Sequence, residues 1–193
     1  MTSTNKSLKS MEQAINELVE KAQSGDTEAF SQLYDIFFTP LYRYVYYRVS
    51  KDEYEDILEM VFMKMWTNLK KYKKTKSTFS SWVFRIAHNL VVDHYRSAGG
   101  TVELSPAIED QSKESQAPGM AERRLNNAIL KQSLMRLKED YQQILVLKFL
   151  DELKNDEIAM ILGRSQNSLR ILQFRALRAL RKEMEIIGIY HFE

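Results

Sequence analysis

The amino-acid sequence predicts an all-α protein with two helical domains joined by a flexible linker. Apolar residues recur at spacings of three and four in both parts of the 193-residue chain, as expected for helices that bury one face. The strict alternation of apolar and polar residues that marks a half-buried strand is missing. Between the two helical parts, one segment has the composition of a linker.

Residues 98–120 form this predicted linker. The stretch Ser97–Met120 holds three of the six glycines and two of the three prolines of the chain, and more acidic than basic residues. A segment with so few apolar residues cannot offset the entropy lost on ordering, so we expect a flexible tether. The chain is therefore divided into an N-terminal extension (1–16), a first domain (17–97), the linker (98–120), a second domain (121–184) and a short tail (185–193).

Three main helices are predicted in the first domain. Asp26 can cap a helix over Thr27–Arg48, in which Pro40 is expected to cause a kink or a break. A second helix is predicted from Lys51 to Tyr72, and a third over Thr78–Arg96. The predicted buried stripes are Phe30, Leu33, Tyr34, Phe37, Leu41, Tyr44 and Val45 on the first helix, Ile57, Leu58, Val61, Phe62, Met65, Trp66 and Leu69 on the second, and Trp82, Val83, Ile86, Ala87 and Leu90 on the third.

The second domain has the pattern of a helix-turn-helix. Helices over Ala121–Leu137 and Tyr141–Leu150, separated by a polar break, precede a helix over Asn155–Leu162, a turn at Gly163 and a longer helix over Ser165–Met184. Two helices joined by a short glycine turn, the second rich in arginine, are typical of DNA-binding helix-turn-helix units. Packing across the turn is expected among Ile158, Ala159, Ile161, Leu162, Leu169, Leu172 and Leu177.

The net charge of +2 conceals a strong segregation of charge along the chain. Acidic residues crowd into Asp52–Glu59 and are then absent from Met60–Val92, which includes the lysine-rich loop Lys73–Ser77. All charged residues from Arg164 to Lys182 are basic. Two separate basic stretches indicate two contacts with a polyanion, whereas solvated helix faces are the simpler alternative.

Composition argues against several other classes of protein. No apolar run is long enough to span a bilayer, and the polar stretch Met1–Met11 lacks the apolar core of a signal peptide, so a cytoplasmic protein is expected. Without cysteine there is neither a disulfide framework nor a thiolate metal site. His88, His94 and His191 have no metal-ligand spacing, and no phosphate loop or nucleophile elbow is present. We expect no enzyme activity, no metal and no cofactor.

The third predicted helix combines aromatic residues with basic and polar ones. Rings beside cations and amides suit single-stranded bases, which can stack and expose their edges, while the lysine loop would attract the backbone. The alternative is that the rings belong to the core, which the apolar spacing favours for Trp82. The residues concerned are Phe79, Trp82, Phe84 and Tyr95, interleaved with Ser77, Ser80, Ser81, Arg85, Asn89 and Arg96.

The helix-turn-helix suggests a second and different contact, with duplex DNA. The N-terminal part of its second helix would enter the major groove, where Gln166, Asn167, Arg170 and Gln173 could make paired hydrogen bonds to purine edges. Arg164, Arg175 and Arg178 could hold phosphates, and Phe174 could contact a thymine methyl. A three-helix core that only resembles this motif is the alternative.

Several motifs, in order and spacing, resemble the extracytoplasmic-function (ECF) sigma factors of bacterial RNA polymerase. Asp26-Thr27-Glu28-Ala29-Phe30 with Leu33-Tyr34 resembles the opening of sigma region 2, and Tyr54–Trp66 resembles its polymerase-binding helix. Phe79–Leu90, with Asp93 and Arg96, resembles the promoter-melting segment. Leu137–Lys182 resembles sigma region 4. The resemblance implies that the first domain is the region 2 helical bundle and the second the region 4 helix-turn-helix.

This resemblance also implies partners and residue roles. Core RNA polymerase would bind through the clamp of its largest subunit and the flap of its second-largest subunit. The residues implied in binding the clamp are Asp52, Glu55, Asp56, Glu59, Met60 and Met63. Promoter DNA would be melted and its minus-ten element read by Lys73, Lys74, Lys76, Ser77, Phe79, Ser80, Arg85, Asn89 and Arg96.

Region 4 would read the minus-thirty-five element as a duplex. The residues implied are Arg164, Gln166, Asn167, Ser168, Arg170, Ile171, Phe174, Arg175 and Arg178. The chain departs from the usual family pattern at Glu59-Met60, at Asn167-Ser168 and at Leu172. An anti-sigma factor that covers the DNA-binding faces is also implied, without membrane insertion of the chain itself.

Two other functions remain open at this point. A stand-alone helix-turn-helix regulator would bind duplex DNA directly, but it would need a dimer interface, and the chain has no heptad seam to supply one. A helical adaptor would use its basic faces for acidic proteins, and it would then bind double-stranded DNA without salt dependence or not at all, because phosphate contacts weaken as salt rises.

Overall fold

The computed structural model describes residues 2–50, 53–74, 77–97 and 120–187, with side chains described in these ranges outside 2–9 and 120–124. All regular elements within them are helical, which confirms the predicted all-α class. We refer to residues 2–97 as the N-terminal half and to residues 120–187 as the C-terminal half. No helix in the described ranges is both long and apolar enough to cross a bilayer.

The N-terminal half is a bundle built around its second helix. Helix α1 (Thr2–Gln23) packs on α2 (Thr27–Tyr46), and α3 (Tyr54–Asn68) packs on both α2 and α4 (Phe79–Ser97). A single 3₁₀ turn, Leu69–Lys71, ends α3. Every one of these helices therefore contacts a neighbour through an apolar face, as their spacing patterns require.

Two features of α2 were predicted from the sequence, an N-cap at Asp26 and a kink or break at Pro40. The Asp26 carboxylate accepts hydrogen bonds from the backbone N–H groups of Glu28 and Ala29 at 3.0 Å, so the predicted N-cap is confirmed. Pro40 does not end the helix, which continues to Tyr46. Buried Phe37 and Leu41 flank the proline and anchor both sides of it in the core.

The C-terminal half contains four helices and one π-helical turn. Helices α5 (Met120–Met135) and α6 (Glu139–Leu145) precede the π turn Val146–Leu150. Helix α7 (Asn155–Leu162) and helix α8 (Gln166–Ile186) follow. The polar break before α6 is shorter than expected, because Glu139 and Asp140 already form its first turn, where acidic side chains favour the helix dipole.

The helix-turn-helix has the predicted core, with one exception. Ile158 and Ile161 of α7 and Leu169 and Leu172 of α8 are buried across the turn. Leu177 was expected to join them, but this prediction was wrong because its side chain is exposed. The apolar stripe of α8 continues instead through Ala176, which is fully buried.

The two halves pack against each other in this structure. Helix α4 contacts α7, and α2 contacts the π turn. These contacts are made by α7 and by the π turn, so the solvent-facing side of α8 is left open.

Gly163 determines the geometry of the turn between α7 and α8. Its φ of 64° and ψ of 33° lie in the left-handed region, and its N–H bonds to the carbonyl of Ala159. A Cβ at this position would meet nothing within 4 Å, so the backbone conformation alone makes glycine favourable.

We predict that Gly163→Ala lowers the free energy of unfolding by about 1 kcal/mol, because alanine adopts the left-handed conformation at a cost. Urea denaturation followed by circular dichroism measures the change. Gly163→Asn is the matched control and should lose less, because asparagine tolerates this conformation better. Equal losses for the two variants would contradict the backbone explanation.

Candidate polymerase and nucleic-acid interfaces

The outer face of α3 carries the side chains predicted to bind polymerase. Glu55, Asp56 and Glu59 are exposed, as are Met60 and Met63. Asp52, the remaining member of the predicted set, lies outside the described residues. The face therefore combines anionic and flexible apolar side chains, which suits a partner that is both basic and apolar.

Exposed aromatic rings extend this face, contrary to the sequence-based expectation. Trp66 and Tyr34 were predicted to be buried, but they are 44% and 38% exposed. Tyr34 lies against Phe62 with its ring centroid 4.2 Å away, and Trp66 meets Phe30 edge-on at 4.5 Å. Phe38, Met60 and Met63 are exposed as well, so the outer side of α2 and α3 presents several large apolar side chains to solvent.

The basic and amide side chains predicted to contact single-stranded DNA lie mostly at the surface. Lys73 and Lys74 are exposed before α4, and Asn89 and Arg96 are exposed along it. Ser77 and Ser80 are half-buried, while Arg85 is exposed and donates a hydrogen bond to the carbonyl of Met160. Lys76 lies outside the described residues.

The aromatic part of this prediction needs correction. Phe79 and Phe84 are each only 2% exposed, so in this structure they are core residues rather than rings available for base stacking. Phe79 packs edge-on against Phe37 and Tyr72, at 5.5 Å and 5.1 Å between centroids. Trp82 is half-buried against the same cluster, in keeping with the core interpretation favoured by its spacing. Apolar spacing alone cannot distinguish a core ring from a stacking ring.

The solvent side of α8 presents nearly all the residues predicted to read duplex DNA. Ser168 is half-buried and the other eight are exposed: Arg164, Gln166, Asn167, Arg170, Ile171, Phe174, Arg175 and Arg178. Ser165 is the N-cap of α8, and its hydroxyl accepts a hydrogen bond from the backbone N–H of Ser168.

Some polar groups near α8 are already paired. Arg164 forms an ion pair with Asp140, and the side-chain amide of Gln173 donates to Asn155 Oδ1 at 3.2 Å. Gln173 therefore braces α8 against α7, whereas Arg164 would have to exchange Asp140 for a phosphate. Among the described residues, no group of His, Asp and Glu could hold a metal ion.

Comparison with known proteins identifies the family of the chain. The family described as Sigma-70 region 2 matches residues 33–101, and the family described as Sigma-70, region 4 matches residues 127–180. The ECF RNA polymerase sigma factor ShbA of Streptomyces griseus is 31% identical over 180 residues, covering 86% of this chain and 93% of ShbA. The chain belongs to the ECF sigma factors.

Other members of this family extend the comparison. The ECF sigma factor SigW of Bacillus subtilis is 29% identical over 90% of this chain and 98% of its own length. BldN of Streptomyces coelicolor is 33% identical over 85% of this chain, which spans only 63% of BldN. The region 2 match accounts for the N-terminal half, which the hypothesis of a stand-alone helix-turn-helix regulator leaves unexplained.

Solved structures share the fold of this sigma factor. CnrH, in complex with the cytosolic domain of CnrY, aligns with a TM-score of 0.68 at 21% identity, over 90% of this chain and 98% of CnrH. RpoE from Bartonella quintana, in complex with the anti-sigma factor NepR, aligns with a TM-score of 0.66 at 21% identity, over 81% of this chain and 97% of RpoE.

The sigma factor also contains a buried ion pair between its halves that the sequence did not reveal. Asp151, at the end of the π turn, has no side-chain exposure and accepts a hydrogen bond from Arg43 Nε at 3.1 Å. Its second oxygen has no partner among the described residues. Burial raises the pKa of Asp151 from 3.8 to about 7, against the opposing effect of Arg43.

We predict that this carboxyl makes the folded sigma factor relatively more stable as pH falls. Because the folded pKa is near 7 and the unfolded value near 4, the folded state takes up the proton first, between about pH 7 and about pH 4. The free energy of unfolding of the wild type, minus that of Asp151→Asn, should therefore increase from about pH 8 to about pH 5.

Urea denaturation of both proteins at the two pH values gives this difference. The subtraction removes the opposite contribution of His88, whose pKa burial lowers to about 4, because that residue is present in both proteins. A difference that does not change with pH would show that Asp151 titrates normally.

Proposed function

We propose that the chain is an alternative sigma factor that binds core RNA polymerase and directs promoter recognition, DNA melting and transcription initiation. The observation that carries the proposal is that one member of the ECF family presents two unlike basic surfaces and one anionic, methionine-rich face. Duplex DNA suits the exposed arginines of α8, and single-stranded DNA suits the cationic and amide groups around α4.

Each proposed role is assigned to one of the predicted domains. Residues 17–97 would act as region 2, residues 98–120 as the tether and residues 121–184 as region 4, with an extension and a tail at either end. The face around Met60 and Met63 would dock on the polymerase clamp. The chain would act in the cytoplasm, where the polymerase is, and would contribute no catalytic group of its own.

An anti-sigma factor is a further proposed partner. The structures of CnrH and of RpoE were solved with CnrY and with the anti-sigma factor NepR, respectively. The exposed apolar side chains beside the basic ones, such as Ile171 and Phe174 on α8, would suit a protein that covers the DNA-binding faces.

The proposal is tested by in vitro transcription with purified core polymerase and a promoter library. Start sites should share two elements at a fixed spacing, and they should appear only when the chain is added. Failure to bind core polymerase would refute the proposal.

We expect Asp56→Lys combined with Glu59→Lys to weaken binding to core polymerase at least tenfold, because reversed charges oppose the proposed docking. Both side chains are exposed, so the fold should be retained. Affinity is measured by fluorescence anisotropy with labelled sigma factor. Glu17→Lys combined with Glu20→Lys, on the exposed side of α1, makes the same change in net charge and should leave the affinity unchanged.

We expect Arg170→Ala to weaken binding to the minus-thirty-five element by about 1–3 kcal/mol, because it would remove a paired base contact. Open-complex formation is compared on a mapped promoter and on the same promoter with its upstream element scrambled. The loss should vanish on the scrambled promoter. Arg181→Ala, near the far end of α8, is the control, and equal losses on both promoters would contradict direct base recognition.

A further inference from the structure

Two thioether side chains are exposed on the outer face of α3, where polymerase docking is proposed. Met63 is 57% exposed and Met60 is 37% exposed, whereas Met65 of the same helix is fully buried. Met60 and Met63 are three residues apart, so they are neighbours on one helical stripe. The chain contains no cysteine, so its nine methionines carry all of its sulfur. A reagent that attacks sulfur in the folded protein would therefore reach these two side chains well before Met65.

The methionine sulfur is the atom of this face that a two-electron oxidant can change. Its lone pair attacks one oxygen of hydrogen peroxide, so that an S–O bond forms and the O–O bond breaks. The hydroxide that leaves takes the proton from the transferred oxygen and departs as water. The sulfur is thereby oxidised by two electrons and the peroxide is reduced. The product, methionine sulfoxide, has a polar S–O group in place of an apolar thioether.

Several side chains around Met63 cannot donate a hydrogen bond to a sulfoxide oxygen. Glu59 and Asp56, one and two turns back along the helix, are exposed carboxylates and therefore acceptors themselves. The hydroxyl of Thr67, one turn further along, already donates to the backbone carbonyl of Met63 at 2.9 Å. A sulfoxide oxygen on this exposed side chain would be hydrated, and an apolar partner pressed against it would remove that water at a cost in affinity.

We propose that Met60 and Met63 form a modification site at which a peroxide, by oxidising them to methionine sulfoxide, weakens docking on core polymerase. The proposal rests on the proposed function of this face in binding polymerase. It gives a chain without thiols a direct chemical response to peroxide. The free chain is the sensitive form, because docking would cover both sulfur atoms.

The first test locates the oxygen uptake in the full chain. Folded protein is treated with hydrogen peroxide, and catalase then stops the reaction. Trypsin separates the peptide Asp52–Lys64, with both exposed methionines, from the peptide Met65–Lys70, with the buried one. Mass spectrometry should show that Asp52–Lys64 gains oxygen roughly tenfold faster, because buried sulfur reacts only when the structure opens. Equal rates for the two peptides would overturn the proposal.

The same digestion of reconstituted holoenzyme measures whether docking covers the site. Asp52–Lys64 should gain oxygen more slowly in the holoenzyme than in the free chain. The peptide Ser10–Lys21, which contains exposed Met11 of α1, normalises for any peroxide that polymerase consumes. A ratio of the two rates that is unchanged by polymerase would contradict the proposal.

The second test measures the effect of oxidation on docking. Oxidised sigma factor, freed of peroxide, is titrated with untreated core polymerase, and each protein is compared with its own untreated form. The wild type should lose affinity roughly tenfold, the scale of an unsatisfied hydrogen-bonding group in a dry interface. Met60→Leu combined with Met63→Leu should lose much less, because leucine has no sulfur. Met11→Leu should stay as sensitive as the wild type, and equal losses for all three proteins would overturn the proposal.

A third test needs no oxidant. Met63→Gln places a polar amide where oxidation would place a sulfoxide, whereas Met63→Leu keeps the side chain apolar, and both residues are good helix formers. The glutamine variant should bind core polymerase several-fold more weakly than the leucine variant. Equal affinities for the two would show that polarity at this position does not affect docking, contrary to the proposal.

The two proposals fail in distinguishable ways. If untreated protein binds core polymerase and oxidation of Asp52–Lys64 leaves that affinity unchanged, the modification proposal fails and the proposed function stands. If untreated protein does not bind core polymerase, the proposed function itself fails, whatever oxygen the exposed methionines take up.

Discussion

The buried guanidinium of Arg48 is the constraint on which the arrangement of the helices depends. It donates to the hydroxyl of Tyr44 on α2 at 2.7 Å and to Glu139 on α6, while its own carbonyl accepts from Tyr95 on α4. Its cation also lies 5.3 Å from the centroid of the Tyr44 ring. A fully buried cation needs such partners, because leaving it unpaired is costly. The side chain and backbone of this residue thus link the centre of the bundle, helix α4 and the C-terminal half.

Sequence patterns predicted the local structure well, because local signals determine it. Helix α7 has the predicted bounds, and the exposed residues of α8 are those that its charge pattern indicated. The burial of Phe79 and the exposure of Trp66 were missed, because a helical stripe of rings has the same spacing whether it faces the core or a partner. The Arg43–Asp151 pair joins residues that are 108 positions apart, so no local sequence pattern predicts it.

The candidate interfaces differ in how accessible they are in this structure. The face of α3 and the solvent side of α8 point away from the contact between the halves, so both are available in the packed protein. The surface around α4 is only partly available, because α7 engages Thr78 and Arg85. On the proposed roles, the polymerase-docking and duplex-binding surfaces are both accessible in this structure, whereas the single-strand surface is only partly so.

The π turn Val146–Leu150 has a consequence for how such proteins diverge. It inserts extra backbone into one turn, and Asp151 follows directly, aimed at Arg43. Deleting one residue there would rotate everything downstream by about 100° relative to α6, since an α-helix has 3.6 residues per turn. Loss or gain of a single codon would thus uncouple the two halves while every residue proposed to bind DNA stayed the same.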